Sequence, residues 1–235
     1  MLLCFGSFIM MPTGGGPMCE LDHRDERPFV SRGGIKLENA LAATGLDVAG
    51  RRALDVGAST GGFTDCMLRR GATGVIAVDV GYGQLDWGLR NDPRVSVLER
   101  TNARALGAEM LPYTPDLVTI DVSFISLAKI LPAVLGCLAE PYDVLALVKP
   151  QFEVGRALAS KGRGVIRDPA DRRAALVGVG EAALGLGASV LGYHSSGRAG
   201  PKGNRETFVW LAEPGRPGGA QDAQEIEMMA RKVEP

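Results

Sequence analysis

Leu54-Asp55-Val56-Gly57-Ala58-Ser59-Thr60-Gly61-Gly62-Phe63 reads as an apolar strand that ends in a glycine-rich turn and opens into a helix. Gly57, Gly61 and Gly62 let the backbone turn tightly and come close to a ligand. Outward from this stretch, strand and helix patterns alternate. Strands are predicted at Ala53–Gly57, Gly74–Val80, Val95–Leu98, Leu117–Val122, Val144–Val148, Ser189–Tyr193 and Thr207–Ala212. Helices are predicted within Pro28–Leu46, stopped by Gly45, and at Phe63–Arg70, Gln84–Arg90, Ile125–Leu138 and Asp171–Leu186. Strands apolar on both faces and separated by helices imply a mostly parallel sheet covered on both sides. The last two strands have only a Gly/Pro/Ser loop between them, which predicts an antiparallel edge hairpin. The fold class is therefore α/β, with a seven-stranded sheet.

Acids end two of these strands. The turn does not have Gly-x-Gly-x-x-Gly spacing, and Asp55 stands just ahead of its first glycine. A carboxylate there suits the amino group of a methionine moiety and would repel a pyrophosphate. Asp79 closes the next strand, about 20 residues on, where a carboxylate accepts both ribose hydroxyls of a nucleoside. Asn102 and Ala103 follow the third strand, where the topology puts a base pocket, although Asn102 equally suits capping the next turn. With Gly57, Ala58, Ser59 and Gly61 from the turn and Val80 beside Asp79, these residues form the expected cofactor-binding set. The reading is S-adenosylmethionine. NAD is the rival that the glycine turn alone leaves open.

A longer set of motifs names a family. Ser31-Arg32-Gly33-Gly34-Ile35-Lys36-Leu37 precedes the glycine turn, and Asp79-Val-Gly-Tyr-Gly-Gln-Leu-Asp-Trp87 follows it. Ile120-Asp-Val-Ser-Phe-Ile-Ser-Leu127, Val148-Lys-Pro-Gln-Phe-Glu153 and Gly203-Asn-Arg-Glu206 complete the series. In this order the chain resembles the TlyA-like, hemolysin-named branch of the FtsJ/RrmJ-type ribosomal RNA 2'-O-methyltransferases. The resemblance implies a Rossmann-like class I methyltransferase fold, S-adenosylmethionine as cofactor, and a Lys-Asp-Lys-Glu tetrad at Lys36, Asp121, Lys149 and Glu206. Asp121 and Lys149 are also reached independently, because each follows an apolar strand on the sheet's carboxyl edge. A ribose hydroxyl must lose its proton as it attacks the methyl. A lysine takes that proton only if its pKa falls from about 10.4 toward neutrality. The expected base is Lys149, oriented by Asp121, which is also expected to belong to the cofactor-binding set. Lys36 is expected to hold the developing alkoxide, and Glu206 to fix Lys36 or the ribose.

Branch members usually carry a small S4-type RNA-binding domain ahead of the Ser-Arg-Gly-Gly motif. Residues 1–27, with four acids and two bases, are too few for it and are expected to be loosely attached. The methyltransferase domain is placed at 28–212, where 21 basic against 18 acidic residues give a net charge of +3. Residues 213–235 are expected to be a polar tail with a short solvent-exposed helix at Gln221–Lys232. Ribosomal RNA or ribosomal subunits are the expected partner, gripped by a rim containing Arg32, Lys161, Arg163, Lys202 and Arg205. A small hydroxylated metabolite is the alternative substrate, and a catalytically silent binding module a more distant one. Cys4, Cys19, Cys66 and Cys137 have no metal-knuckle spacing, so no metal is expected and the compartment reads as reducing and cytoplasmic. Met1–Met11 lacks a positively charged leader, and no apolar run reaches the roughly 20 residues of a membrane span.

Overall fold

The structure, a computed structural model, describes residues 28–200 and 202–234. The expectation for residues 1–27 lies outside the described residues. Seven strands form one sheet in the order β3-β2-β1-β4-β5-β7-β6. They are β1 Arg52–Val56, β2 Gly74–Val78, β3 Val95–Leu98, β4 Leu117–Ile120, β5 Asp143–Val148, β6 Ser189–Ser195 and β7 Thr207–Ala212. The first five are parallel, β7 runs antiparallel beside β5, and β6 runs antiparallel beside β7. The α/β sheet with an antiparallel edge pair is thus as expected. Chain order reverses at β1, since β2 and β4 flank it, and such a switch opens a crevice at the carboxyl edge.

Strand parity sorts the side chains onto two faces. Leu54, Val56, Val118 and Ile120 join a core with Leu131, Leu176 and Ile226. Ala53, Leu117 and Leu145 join the opposite core with Leu37, Phe63 and Met67. The second core is closed by α1 (Arg32–Thr44) and α2 (Gly62–Arg69); α3 (Trp87–Arg90) follows β2. Ser31 caps α1 by accepting from Gly33 N, and Gly45 ends it in the left-handed region, at φ 69°.

Three expectations need correction. The single helix at Ile125–Leu138 is broken into a 3-10 turn, Leu127–Lys129, and α4, Leu131–Leu135. Ser126 caps the turn, and Pro132, lacking an N–H, suits only a first helical turn. Two short helices, α5 (Pro150–Glu153) and α6 (Gly155–Lys161), were not anticipated, and α7 spans Pro169–Gly185. The C-terminal helix α8, Ala223–Arg231, is not solvent-surrounded. It packs on α7 and β6 and fully buries Ile226 and Ala230, the isoleucine alone contributing about 1.5–3 kcal/mol. A buried ion pair between Arg172 and Glu234, 2.7 Å long, fastens the chain beyond α8. Its apolar stripe was hidden in a polar composition.

Candidate active site

Gly57 ends β1 at φ 86°, and a Cβ there would lie 2.5 Å from the backbone oxygen of Asp121. Glycine is needed because two neighbouring strand ends converge, which brings the turn after β1 against the loop after β4. Gly61, at φ 96°, instead approaches the side chains of Leu85 and Leu89. The lining of the cleft omits Gly61 and includes Thr60 and Gly62. Glycine at 61 thus also serves the packing of α2 against Leu85 and Leu89.

The expectation for Asp55 needs correction. Parity with Ala53 turns its side chain under α2 and away from the cleft. It is fully buried, accepting from Thr64 Oγ1 at 2.7 Å and Thr119 Oγ1 at 3.2 Å. Burial, with the Asp121 charge adding to it against the two hydroxyls, pushes its carboxyl up to about 7. Asp55 holds the turn from behind and does not line any of the three cavities described next.

Three adjoining cavities share Asp121 and Ser123 in their walls. The first, about 350 Å³, lies between the glycine turn and the start of α1, with Arg32, Gly57, Ala58, Ser59 and Thr60 in its lining. The second, about 540 Å³, is lined by Asp79, Val80, Gln84, Asn102, Ala103 and Phe124, among others. Asp79 accepts from Ser59 N at 2.8 Å through one oxygen and from Gly81 N at 2.7 Å through the other. Each oxygen keeps a lone pair for a ribose hydroxyl. Asn102 caps a 3-10 turn by accepting from Arg104 N, and it lines this cavity. A nucleoside fits the chemistry of this lobe, and a zwitterionic amino acid fits the first, where Arg32 supplies a cation.

The third cavity, about 700 Å³, has Lys36, Asp121, Lys149 and Glu206 in its lining. They form two ion pairs. Lys149 Nζ lies 2.6 Å from Asp121 Oδ1 and donates to Ser123 Oγ at 2.9 Å. Lys36 Nζ donates to Glu206 Oε2 at 2.5 Å. Each lysine is positioned by its element: Lys36 sits on the buried face of α1 beside Leu37, and Lys149 is the residue that α5 begins upon. Phe152, Arg163 and Lys202 also line it. Phe124 is 91% exposed and meets Phe152 ring to ring at 5.1 Å. Asn204 turns inward, bonding Ile166 N and Gly164 O, so it pins the loop beneath Arg163.

Ser31, Thr60, Ser123 and Phe124 were not singled out from the sequence. Only the long motifs around them gave a signal, since serine and threonine are ordinary loop residues. The side chain of Lys161 lies outside the described residues. Among the described residues no His/Cys/Asp/Glu cluster is arranged to hold a metal, and no helix is long and apolar enough to cross a membrane.

Comparison with known proteins agrees with this geometry. The chain is 55% identical over 186 residues to the 16S/23S rRNA (cytidine-2'-O)-methyltransferase TlyA of Mycobacterium tuberculosis, covering 79% of this chain and 69% of that protein. A solved structure from Streptococcus thermophilus, designated a hemolysin, superposes with a TM-score of 0.82 at 41% identity. That match covers 89% of this chain and 76% of the other. A Listeria monocytogenes protein designated an S-adenosylmethionine-dependent methyltransferase gives a TM-score of 0.56 at 14% identity, over 78% of this chain and 99% of that one; this is a likeness of fold alone. The family described as FtsJ-like methyltransferase matches residues 29–213. With the fold, the nucleoside lobe and these relatives in agreement, the chain belongs to the FtsJ-like methyltransferase family and is an S-adenosylmethionine-dependent methyltransferase.

Proposed function

We propose that this enzyme methylates a ribose 2'-hydroxyl of ribosomal RNA, at a cytidine, using Lys36, Asp121, Lys149 and Glu206. The observation that carries the reading is the joint lining of the third cavity. All four residues line it, and Asp121 also lines both cofactor lobes. A hydroxyl entering from the Arg163/Lys202 side therefore meets the tetrad where the lobes join. The printed activity of the Mycobacterium tuberculosis relative supports the substrate class.

S-adenosylmethionine supplies an electrophilic methyl group on a sulfonium. In this reading Asp79 binds its ribose, Asn102 and Ala103 flank its base, and Arg32 at the start of α1 takes its carboxylate. Lys149 would receive the proton of the attacking hydroxyl at Nζ, while the bound cofactor would supply the methyl group. Asp121 and Ser123 fix the direction of Lys149 Nζ. Lys36, held by Glu206, places an ammonium beside the oxygen as its negative charge develops. In-line positioning of the oxygen supplies much of the remaining rate.

The test is transfer of labelled methyl to intact ribosomal subunits, to free ribosomal RNA and to a metabolite extract. Label on ribose of RNA is the expected result. Label confined to small molecules would overturn the RNA assignment and install the metabolite alternative.

A further inference from the structure

Glu153, the last residue of α5, reaches across to the loop that follows Asp121. Its Oε1 accepts from the backbone N–H of Leu127 at 3.0 Å. Burial holds that carboxyl above the usual carboxylate range, so the contact is made at a desolvation cost. Two more ties join the same short segment to the same loop: Lys149 to Ser123, and Phe152 to Phe124.

Between these ties the loop is strained. Phe124 has φ 66°, in the left-handed region that a bulky side chain seldom occupies, and its ring is almost wholly exposed. Such a conformation persists only where its surroundings over-determine it. The loop from Val122 to Ile125 lines the nucleoside lobe, while Ser123 and Phe124 also line the substrate cavity. Leu127 is the loop's far anchor, buried in the core.

We infer that Glu153 is a positioning residue for methyl transfer: by accepting from Leu127 N it locks the loop after Asp121, and with it Ser123 and Phe124, against the segment that carries Lys149. This rests on the function proposed above. The element bearing the base and the loop bearing its partner are then one rigid unit, and both cofactor and acceptor contact the same loop.

The test uses the whole chain with Glu153→Ala, Glu153→Asp and Glu153→Gln. Glutamine keeps an oxygen acceptor at the same reach, whereas aspartate is one methylene too short. Hydrogen exchange at the Leu127 amide is expected to speed up at least tenfold in the Ala and Asp variants, with β1 and β5 amides unchanged. Turnover on RNA is expected to fall at least tenfold in both and to stay within threefold of wild type in Gln. Wild-type exchange at Leu127 in the Ala and Asp variants would overturn the proposal. So would faster exchange without loss of turnover, or a Gln variant as impaired as Ala. Should wild type itself fail to methylate RNA, the functional reading falls, while the exchange data still decide whether Glu153 anchors the loop.

Discussion

Lys36 and Glu206 meet at 2.5 Å across 170 positions of sequence, with the carboxylate side chain only 1% exposed and the lysine side chain 11%. The first helix is thereby tied to the entry of β7. Removing one partner of a buried pair leaves an uncompensated charge, which costs about 3–5 kcal/mol. Lys36→Met and Glu206→Leu are each expected to lower the urea midpoint, and the double variant to recover most of the loss while remaining inactive. A double variant as unstable as the sum of the singles would show that the pair is not the source of the effect.

Lys149→Ala is expected to cut methyl transfer 100-fold or more and to leave cofactor affinity nearly unchanged. The lysine side chain faces Asp121 and Ser123 and lines the acceptor cavity and the first lobe, but it is absent from the nucleoside lobe, where the ribose and base would bind. Single-turnover kinetics with labelled cofactor, alongside calorimetry, separates the two effects. More than a tenth of wild-type turnover in the variant would remove Lys149 as the base.

Asp79→Ala is expected to weaken S-adenosylmethionine binding by roughly 1.5–3 kcal/mol, the loss of one or two strong hydrogen bonds. The variant also frees Ser59 N and Gly81 N, so the turn loses its brace. Calorimetry decides this, and equal affinity in wild type and variant would relocate the ribose.

How much of this was legible follows from what each residue depends on. Seven strands and their edge pair were readable because apolar runs and glycine stops are local signals. The position of Asp55 just before Gly57 suggests a ligand role, but strand parity decides which face its side chain takes. Ala53 and Asp55 alternate with Leu54 and Val56, and that alternation alone puts Asp55 beneath Thr64. The leucines that fill the space beside Gly61 lie 24 and 28 positions away, a contact sequence does not display. The burial of Ile226 and Ala230 was hidden because their helix is otherwise polar.

The carboxyl of Asp55 makes stability depend on pH. Its folded pKa, about 7, lies above the ordinary carboxylate value of 3.8. Below roughly pH 4 both states hold the proton. Between about 4 and 7 the unfolded chain releases it first, so stability falls as pH rises. Above 7 the loss is complete, on the order of 4 kcal/mol. Asp55→Asn removes this dependence, and its advantage over wild type should grow between pH 5 and pH 8. Urea unfolding of the cofactor-free protein at both pH values measures it; a constant difference would place the charge elsewhere.

RNA binding by this chain is expected to be weak and strongly dependent on salt. Arg163 and Lys202 line the outer wall of the acceptor cavity and are exposed, Arg205 is exposed beside them, and Arg32 lines the adjoining lobe. The net charge of only +3 over residues 28–212 means that long-range attraction is slight. Binding must therefore come from local phosphate contacts. Roughly four or five such contacts give a log–log salt slope near 4, and deleting two should lower it by about 1.5. The measurement is binding of structured ribosomal RNA at several salt concentrations by wild type and by an Arg163→Ala/Lys202→Ala variant. Phosphate contacts carry no base information, so the variant should lose affinity for all RNA sequences to a similar degree. If it binds as well as wild type with an unchanged slope, these cations are solvated surface and the acceptor must be gripped by the cavity itself. That outcome would favour a small hydroxylated substrate over RNA.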